Sequence, residues 1–276
     1  MSPQHKLDHP EILSHIFHPV CLTPTPLPAD CKDLFFTMDD GAKIGCRFFK
    51  VDSSYPTILF FHGNGETVAD YDTIGPQFNE VGINFLVCDY RGYGWSESSP
   101  TVSLMLADAA AIFDQVKKTQ TAENGDGPLF IMGRSLGSAC AIDLAAANDS
   151  EIKGLILDSG FGDTLPLAAT LGIIPDRYGL SEEDCFNNLE KISRVTKPTY
   201  ILHGARDQLI APTEGEKLQA ASGARSKEFQ IVPGADHNSI FLVAGKLYFS
   251  SIKQFIDKST GQNNWRQRRS RATRNS

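Results

Sequence analysis

The sequence predicts an α/β fold: a mostly parallel sheet with helices on both faces and an antiparallel N-terminal entrance. Three observations carry this expectation. Short apolar runs alternate with helix-like segments through most of the 276 residues, the order that builds a parallel sheet covered on both sides. The first two runs differ, because they flank a turn signal as a hairpin does. A third run, Leu129-Phe-Ile-Met-Gly-Arg-Ser-Leu-Gly137, passes directly from buried strand into helix through a serine framed by glycines.

The elements follow in order. Residues 1–29 read as an N-terminal extension with a short helix, 30–258 as the main domain and 259–276 as a basic, disordered tail. Leu34-Phe-Phe-Thr37 and Ile44-Gly-Cys-Arg-Phe-Phe49 flank Asp39-Asp-Gly41, the pattern of an antiparallel pair. Parallel strands are expected at Thr57–Phe61, Ile83–Cys88, Leu129–Met132 and Gly154–Leu157, and at the start of Thr199–Asp207 and of Phe229–His237. The clearest helix spans Ser103 to Lys118, with Ser103 as its cap, lysines at its C-terminal end and Asp108 and Asp114 on its surface. The interval Gly160 to Lys197 holds the apolar run Leu165–Ile174, read either as a small lid favouring an apolar group or as plain core, and a sheet-packing helix from Phe186 to Arg194.

Composition bounds the function. Hydrophobic content of 41% and charged content of 21% are those of an ordinary globular protein, and a net charge of −7 argues against general nucleic-acid affinity. Arg266, Arg268, Arg269, Arg271 and Arg274 crowd the C-terminus and read as a solvated tail. No apolar stretch is long enough to span a bilayer and no apolar signal core opens the chain, so a cytoplasmic location is the expectation. The six cysteines show no metal or redox spacing, and Cys46, Cys88 and Cys140 read as buried apolar residues. His5, His9, His15 and His18 lack an accompanying carboxylate or cysteine pattern, so neither a metal nor a cofactor is expected.

The chemistry centres on Gly133-Arg-Ser-Leu-Gly137. A serine hydroxyl is a poor nucleophile unless it is held exposed beside a base, and an abrupt strand-to-helix turn does that. Glycines two residues to either side are needed where strand and helix crowd together. Two later strand ends offer partners, Asp207 and His237, with His237 as general base and Asp207 as the group that orients it. Asp158, after the strand Gly154–Leu157, is the rival acid. His62 and His203 also sit at strand ends, but each precedes a glycine and reads as structural. For the oxyanion the expected donors are the backbone N–H groups of Leu136 and of Asn64, with Gly63 or Gly65 as alternatives in the loop His62-Gly-Asn-Gly-Glu66. The segment Asp89 to Gly94 reads as a packed loop supporting that face.

Phe61-His-Gly-Asn-Gly-Glu66, Asp89-Tyr-Arg-Gly-Tyr-Gly94, Gly133-Arg-Ser-Leu-Gly137, His203-Gly-Ala-Arg-Asp207 and Gly234-Ala-Asp-His237 together resemble the α/β-hydrolase superfamily over roughly residues 30 to 258. The chain is similar to the compact branch that includes depalmitoylating thioesterases and serine-aminopeptidase-like hydrolases. The resemblance implies an eight-stranded α/β-hydrolase fold, Ser135, Asp207 and His237 as a catalytic triad, and Asn64 and Leu136 in the oxyanion hole. It implies a serine hydrolase acting on a carboxylic ester or thioester; amide cleavage and a ligand-binding role with vestigial turnover are the alternatives. Eukaryotic depalmitoylases of this branch carry a lipidated N-terminal cysteine cluster that is absent here, a departure bearing on a depalmitoylating role and not on hydrolase chemistry.

Overall fold

Eight apolar segments assemble into one sheet in the order β1-β2-β4-β3-β5-β6-β7-β8. The computed structural model describes residues 5–28, 30–122 and 125–262, so the arginine-rich tail lies outside the described residues. Strands β1 (Cys31–Thr37) and β2 (Lys43–Phe49) form the hairpin, turning at Gly41 with φ +87°. β2 also runs antiparallel to β4 (Asn84–Cys88). From there β3 (Thr57–Phe61), β5 (Leu129–Arg134), β6 (Gly154–Asp158), β7 (Thr199–Gly204) and β8 (Lys227–Val232) continue in parallel.

The two-residue period of a strand divides its side chains between two cores. Along β3, Leu59 and Phe61 join one hydrophobic cluster while Ile58 and Phe60 join the other. Helices α3 (Val102–Ala122), α4 (Gly137–Ala147), α6 (Asn188–Ser193) and α7 (Pro212–Ala221) cover the first face. The second is covered by α2 (Gly75–Glu80), α8 (Ile240–Ala244) and α9 (Lys246–Ser259). The remaining helices are α1 (Pro10–Ile16) and α5 (Thr164–Thr170), which lie close together above the sheet's C-terminal edge.

Four local expectations need correction. Helix α3 runs on to Ala122, so Lys117 and Lys118 do not stand at its C-terminal end. Ser103 is not the cap of α3: Thr101 Oγ1 accepts the Leu104 N–H, and Asp8 Oδ1 accepts those of Val102 and Ser103. A carboxylate from more than ninety residues away in sequence thus completes the helix start. Asp108 is not a surface residue of that helix. It is buried and grips the Arg91 guanidinium at 2.7 and 2.8 Å, tying α3 to the loop after β4. The helix expected from Phe186 starts only at Asn188, because Asn187 adopts a left-handed conformation with φ +52°. Cys46, Cys88, Cys140 and Cys185 are buried thiols, Cys46 directly opposite Cys88 across β2 and β4.

Candidate active site

Ser135 stands between β5 and α4 with φ +51°, a left-handed conformation that serine adopts only at a cost. The crowding around it explains the flanking glycines. A Cβ on Gly133 would run into the Gly137 carbonyl, and one on Gly137 into the Phe61 carbonyl at the end of β3. The Ser135 N–H donates to the Asp158 carbonyl at 2.9 Å, fastening the elbow to β6.

The loop after β8 brings His237 to this elbow. Gly234 turns it with φ +83°, and the Asp236 carboxylate accepts the Asn238 N–H and the Ser239 hydroxyl at 3.0 and 2.7 Å. His237 Nε2 lies 2.9 Å from Ser135 Oγ, and Nδ1 lies 2.7 Å from Asp207 Oδ2. This geometry assigns the proton to Nδ1, leaving Nε2 to accept from the serine hydroxyl. Asp207 Oδ1 accepts the N–H groups of Leu209 and Ile210 at 3.0 and 2.8 Å. Burial alone would raise the Asp207 carboxyl, but hydrogen bonds from His203 and His237 hold it well below the ordinary carboxylate range.

The other residues singled out in the sequence lie around this line. His203 is buried, with Nε2 2.8 Å from the Ile210 carbonyl and 3.3 Å from Asp207 Oδ2, beneath the carboxylate. His62 is buried beneath the neighbouring loop, its Nδ1 2.8 Å from the Gly63 carbonyl and its Nε2 3.2 Å from Asp89 Oδ1. Asp158 does not reach the imidazole; it accepts the Tyr248 hydroxyl at 2.8 Å and the Ser159 hydroxyl at 3.0 Å. His5, His9, His15 and His18 each contact different partners, and among the described residues no cluster of three metal-ligating side chains occurs.

The loop after β3 approaches Ser135 from the opposite side. Gly63 N–H is already engaged by Glu66 Oε2 at 2.7 Å. The Asn64 side chain is held on four bonds: Oδ1 accepts from the Tyr93 hydroxyl and the His18 N–H, and Nδ2 meets the Ile16 carbonyl and the His18 ring. Among the described residues the backbone N–H groups of Asn64 and Leu136 donate to no protein acceptor. The segment Asp89 to Gly94 supports this loop: Tyr90 donates to the His62 carbonyl at 2.7 Å and Tyr93 to Asn64 at 2.6 Å.

Above Ser135 lies a narrow apolar cavity, partly open to solvent. Leu167, Ala168, Leu171 and Ile173 of the 160–197 interval form one wall. Leu7 and Ile16 of the N-terminal segment form the other, a contribution the sequence reading missed. The two walls are joined by His15 Nδ1 with the Leu171 carbonyl at 2.9 Å and by the Tyr178 hydroxyl on Glu11. The spacing of Ile12 and Ile16 marks a helix with a buried face, but not what covers it. On the other side of His237 is a polar, open recess lined by Arg206, Gln208, Asp236 and Asn238.

A serine at a strand–helix elbow, with a histidine and a carboxylate on the same edge of an eight-stranded, mostly parallel sheet, defines an α/β hydrolase. Residues 53–168 match the family model described as serine aminopeptidase, S33. The α/β-hydrolase domain-containing protein 17C of Xenopus tropicalis is 33% identical over 236 residues, covering 82% of this chain and 70% of the relative. The α/β-hydrolase domain-containing protein WAV2 of Arabidopsis thaliana is 25% identical over 272 residues, covering 92% and 88%. The chain belongs to the α/β-hydrolase superfamily. In fold it is similar to the Pyrococcus furiosus esterase Pf2001, with a TM-score of 0.70 at 21% identity over 87% of this chain and 98% of that one. It is likewise similar to a soluble variant of the Saccharomyces cerevisiae monoglyceride lipase, with a TM-score of 0.66 at 21% identity over 85% and 96%.

Proposed function

We propose that this protein is a serine hydrolase that cleaves carboxylic esters or thioesters through an acyl-enzyme on Ser135. The observation that carries the reading is the hydrogen-bonded line Ser135–His237–Asp207 at the foot of an apolar cavity. In the first step Ser135 Oγ bonds to the substrate carbonyl carbon and its proton passes to His237 Nε2. The carbonyl oxygen, now an anion, is received by the free N–H groups of Asn64 and Leu136. Asp207 keeps the imidazole in the tautomer that accepts this proton and stabilises the cation that forms.

Collapse of the intermediate breaks the bond to the leaving oxygen or sulfur, which takes the proton from His237. Water then loses its proton to His237 and attacks the acyl carbon, and Ser135 leaves with that proton. Because His237 must reach the leaving atom, the leaving group faces the polar recess beside it and the acyl group the apolar cavity. An apolar acyl group on a polar alcohol or thiol fits both sides.

The deciding experiment is labelling of the purified protein with a fluorophosphonate, read by intact mass, alongside turnover of ester, thioester and aminoacyl-anilide panels. One adduct on the wild type and none on Ser135→Ala, with ester or thioester turnover, is the expected result. An unlabelled wild type rejects an activated Ser135. The anilides are included because the matched family model is described as a serine aminopeptidase; preferential anilide cleavage would move the substrate class to amides.

A further inference from the structure

Arg134 is the variable residue of the pentapeptide immediately before Ser135, yet its guanidinium is not on the surface. It is 5% exposed and is surrounded by the three segments that meet at the elbow. Nη1 pairs with Glu66 Oε1 on the loop after β3. Nη2 donates to the His237 backbone carbonyl at 2.7 Å and to Asn238 Oδ1 at 3.2 Å on the loop after β8. Glu66 passes the link onward, because its second oxygen accepts the Gly63 N–H and the Tyr71 hydroxyl, both at 2.7 Å. The guanidinium lies close over the loop: a Cβ on Gly63 would lie 2.6 Å from Arg134 Nη1.

We propose that the Arg134–Glu66 pair is a positioning device for the reaction, a clamp with a buried guanidinium and a half-buried carboxylate that sets the His237 loop and the Asn64 loop at fixed distances from Ser135. The inference rests on the proposed role of Ser135. A planar guanidinium suits this task, since its donors point in fixed directions and can hold two loops at once. Lysine could keep the pairing with Glu66 but would hold only a point charge, without the fork that reaches His237 and Asn238. Burial alone would raise the Glu66 carboxyl; Arg134 nevertheless holds it below its ordinary value, so the pair stays charged at neutral pH. The clamp does not touch substrate. It acts on the reaction through the placement of the base and of the N–H group meant for the oxyanion.

The test must separate positioning from the harm of stranding one buried charge. Fluorophosphonate labelling rates, kcat, KM and thermal midpoints are compared for the wild type, Arg134→Met, Glu66→Met, Arg134→Lys and the Arg134→Met/Glu66→Met double variant. Each single Met variant leaves one charge without its ionic partner, a buried guanidinium or a half-buried carboxylate, and is expected to lose stability. The double variant removes both charges and is expected to recover most of the thermal midpoint. Its labelling rate and kcat nevertheless stay down by about a hundred-fold, the scale of an ångström-sized misplacement of reacting groups, while KM changes little. Arg134→Lys is expected to fall between the wild type and the double variant. A double variant that regains the wild-type labelling rate together with its stability overturns the clamp. A wild type that is never labelled instead removes the role of Ser135 on which the clamp depends.

Discussion

His237 Nδ1 and His203 Nε2 lie 2.7 and 3.3 Å from the same oxygen of Asp207, so one carboxylate faces two imidazoles. Its other oxygen is occupied by two backbone N–H groups, which fixes the plane of the carboxylate. An Asp207→Asn variant keeps those backbone bonds through its carbonyl oxygen but turns an amide N–H toward His237 Nδ1. The imidazole must then carry its proton on Nε2 and cannot accept one from Ser135. A loss of about 10⁴-fold in kcat is expected, the scale of the same tautomer change where a Ser-His-Asp triad is known to act, with the fold retained. Steady-state kinetics and circular dichroism of the variant check this; near-normal kcat would refute the assigned orientation.

The backbone of Ser135 yields a prediction about stability. Its φ of +51° suits glycine better than any residue with a Cβ. Ser135→Gly and Ser135→Ala both lack the hydroxyl and both lose the hydrogen bond to His237. The glycine variant is nonetheless expected to be more stable than the alanine variant by about 1 kcal/mol, because only alanine retains the strain. Urea unfolding of the pair measures the difference, and equal midpoints would show an unstrained elbow.

Ile16 tests the cavity wall supplied by the N-terminal segment. Ile16→Trp fills space on the side facing Leu167 and Leu171. With p-nitrophenyl esters of increasing chain length, kcat/KM is expected to fall about ten-fold or more for long chains and to hold for the acetate. A uniform fall across all lengths would place Ile16 outside the acyl path.

Asp158 provides a pH test with a definite sign. Burial raises its carboxyl above the ordinary 3.8, against the pull of Arg134, Tyr248 and Ser159. A group whose folded-state value is raised contributes its full stability below the unfolded value and loses it as pH climbs through the folded value. Wild type therefore loses stability from about pH 4 upward on this account, and Asp158→Asn does not. Denaturant midpoints measured upward from pH 4 should shift in favour of the variant and level off once pH has passed the folded-state value. Parallel curves would mean that Asp158 folds with an unshifted carboxyl.

Much of this arrangement is legible in one dimension because the relevant signals are local. A run such as Leu129–Met132 reads as a buried strand from its own composition, and the glycines around Ser135 from the turn they must make. Ser135, Asp207 and His237 each stand just past such a run, so a common sheet edge places them near one another. The start of the helix within the 160–197 interval is less legible: a single left-handed residue, Asn187, delays it, and nothing in its composition demands that conformation.

The sequence by itself determined most of the strand and helix pattern and the residues at the strand ends, because periodicity and turn chemistry act over a few neighbours; the superfamily came from the resemblance of its motifs. Only the tertiary structure decided what surrounds them. Arg134 meets Glu66 and the His237 loop across separations of 68 and 103 residues. Asp8 caps a helix 94 residues away, and Leu7 and Ile16 close a cavity built by residues beyond 160. Such contacts carry no periodic signature. They exist because buried charges and open helix ends must find partners wherever the packed sheet brings them.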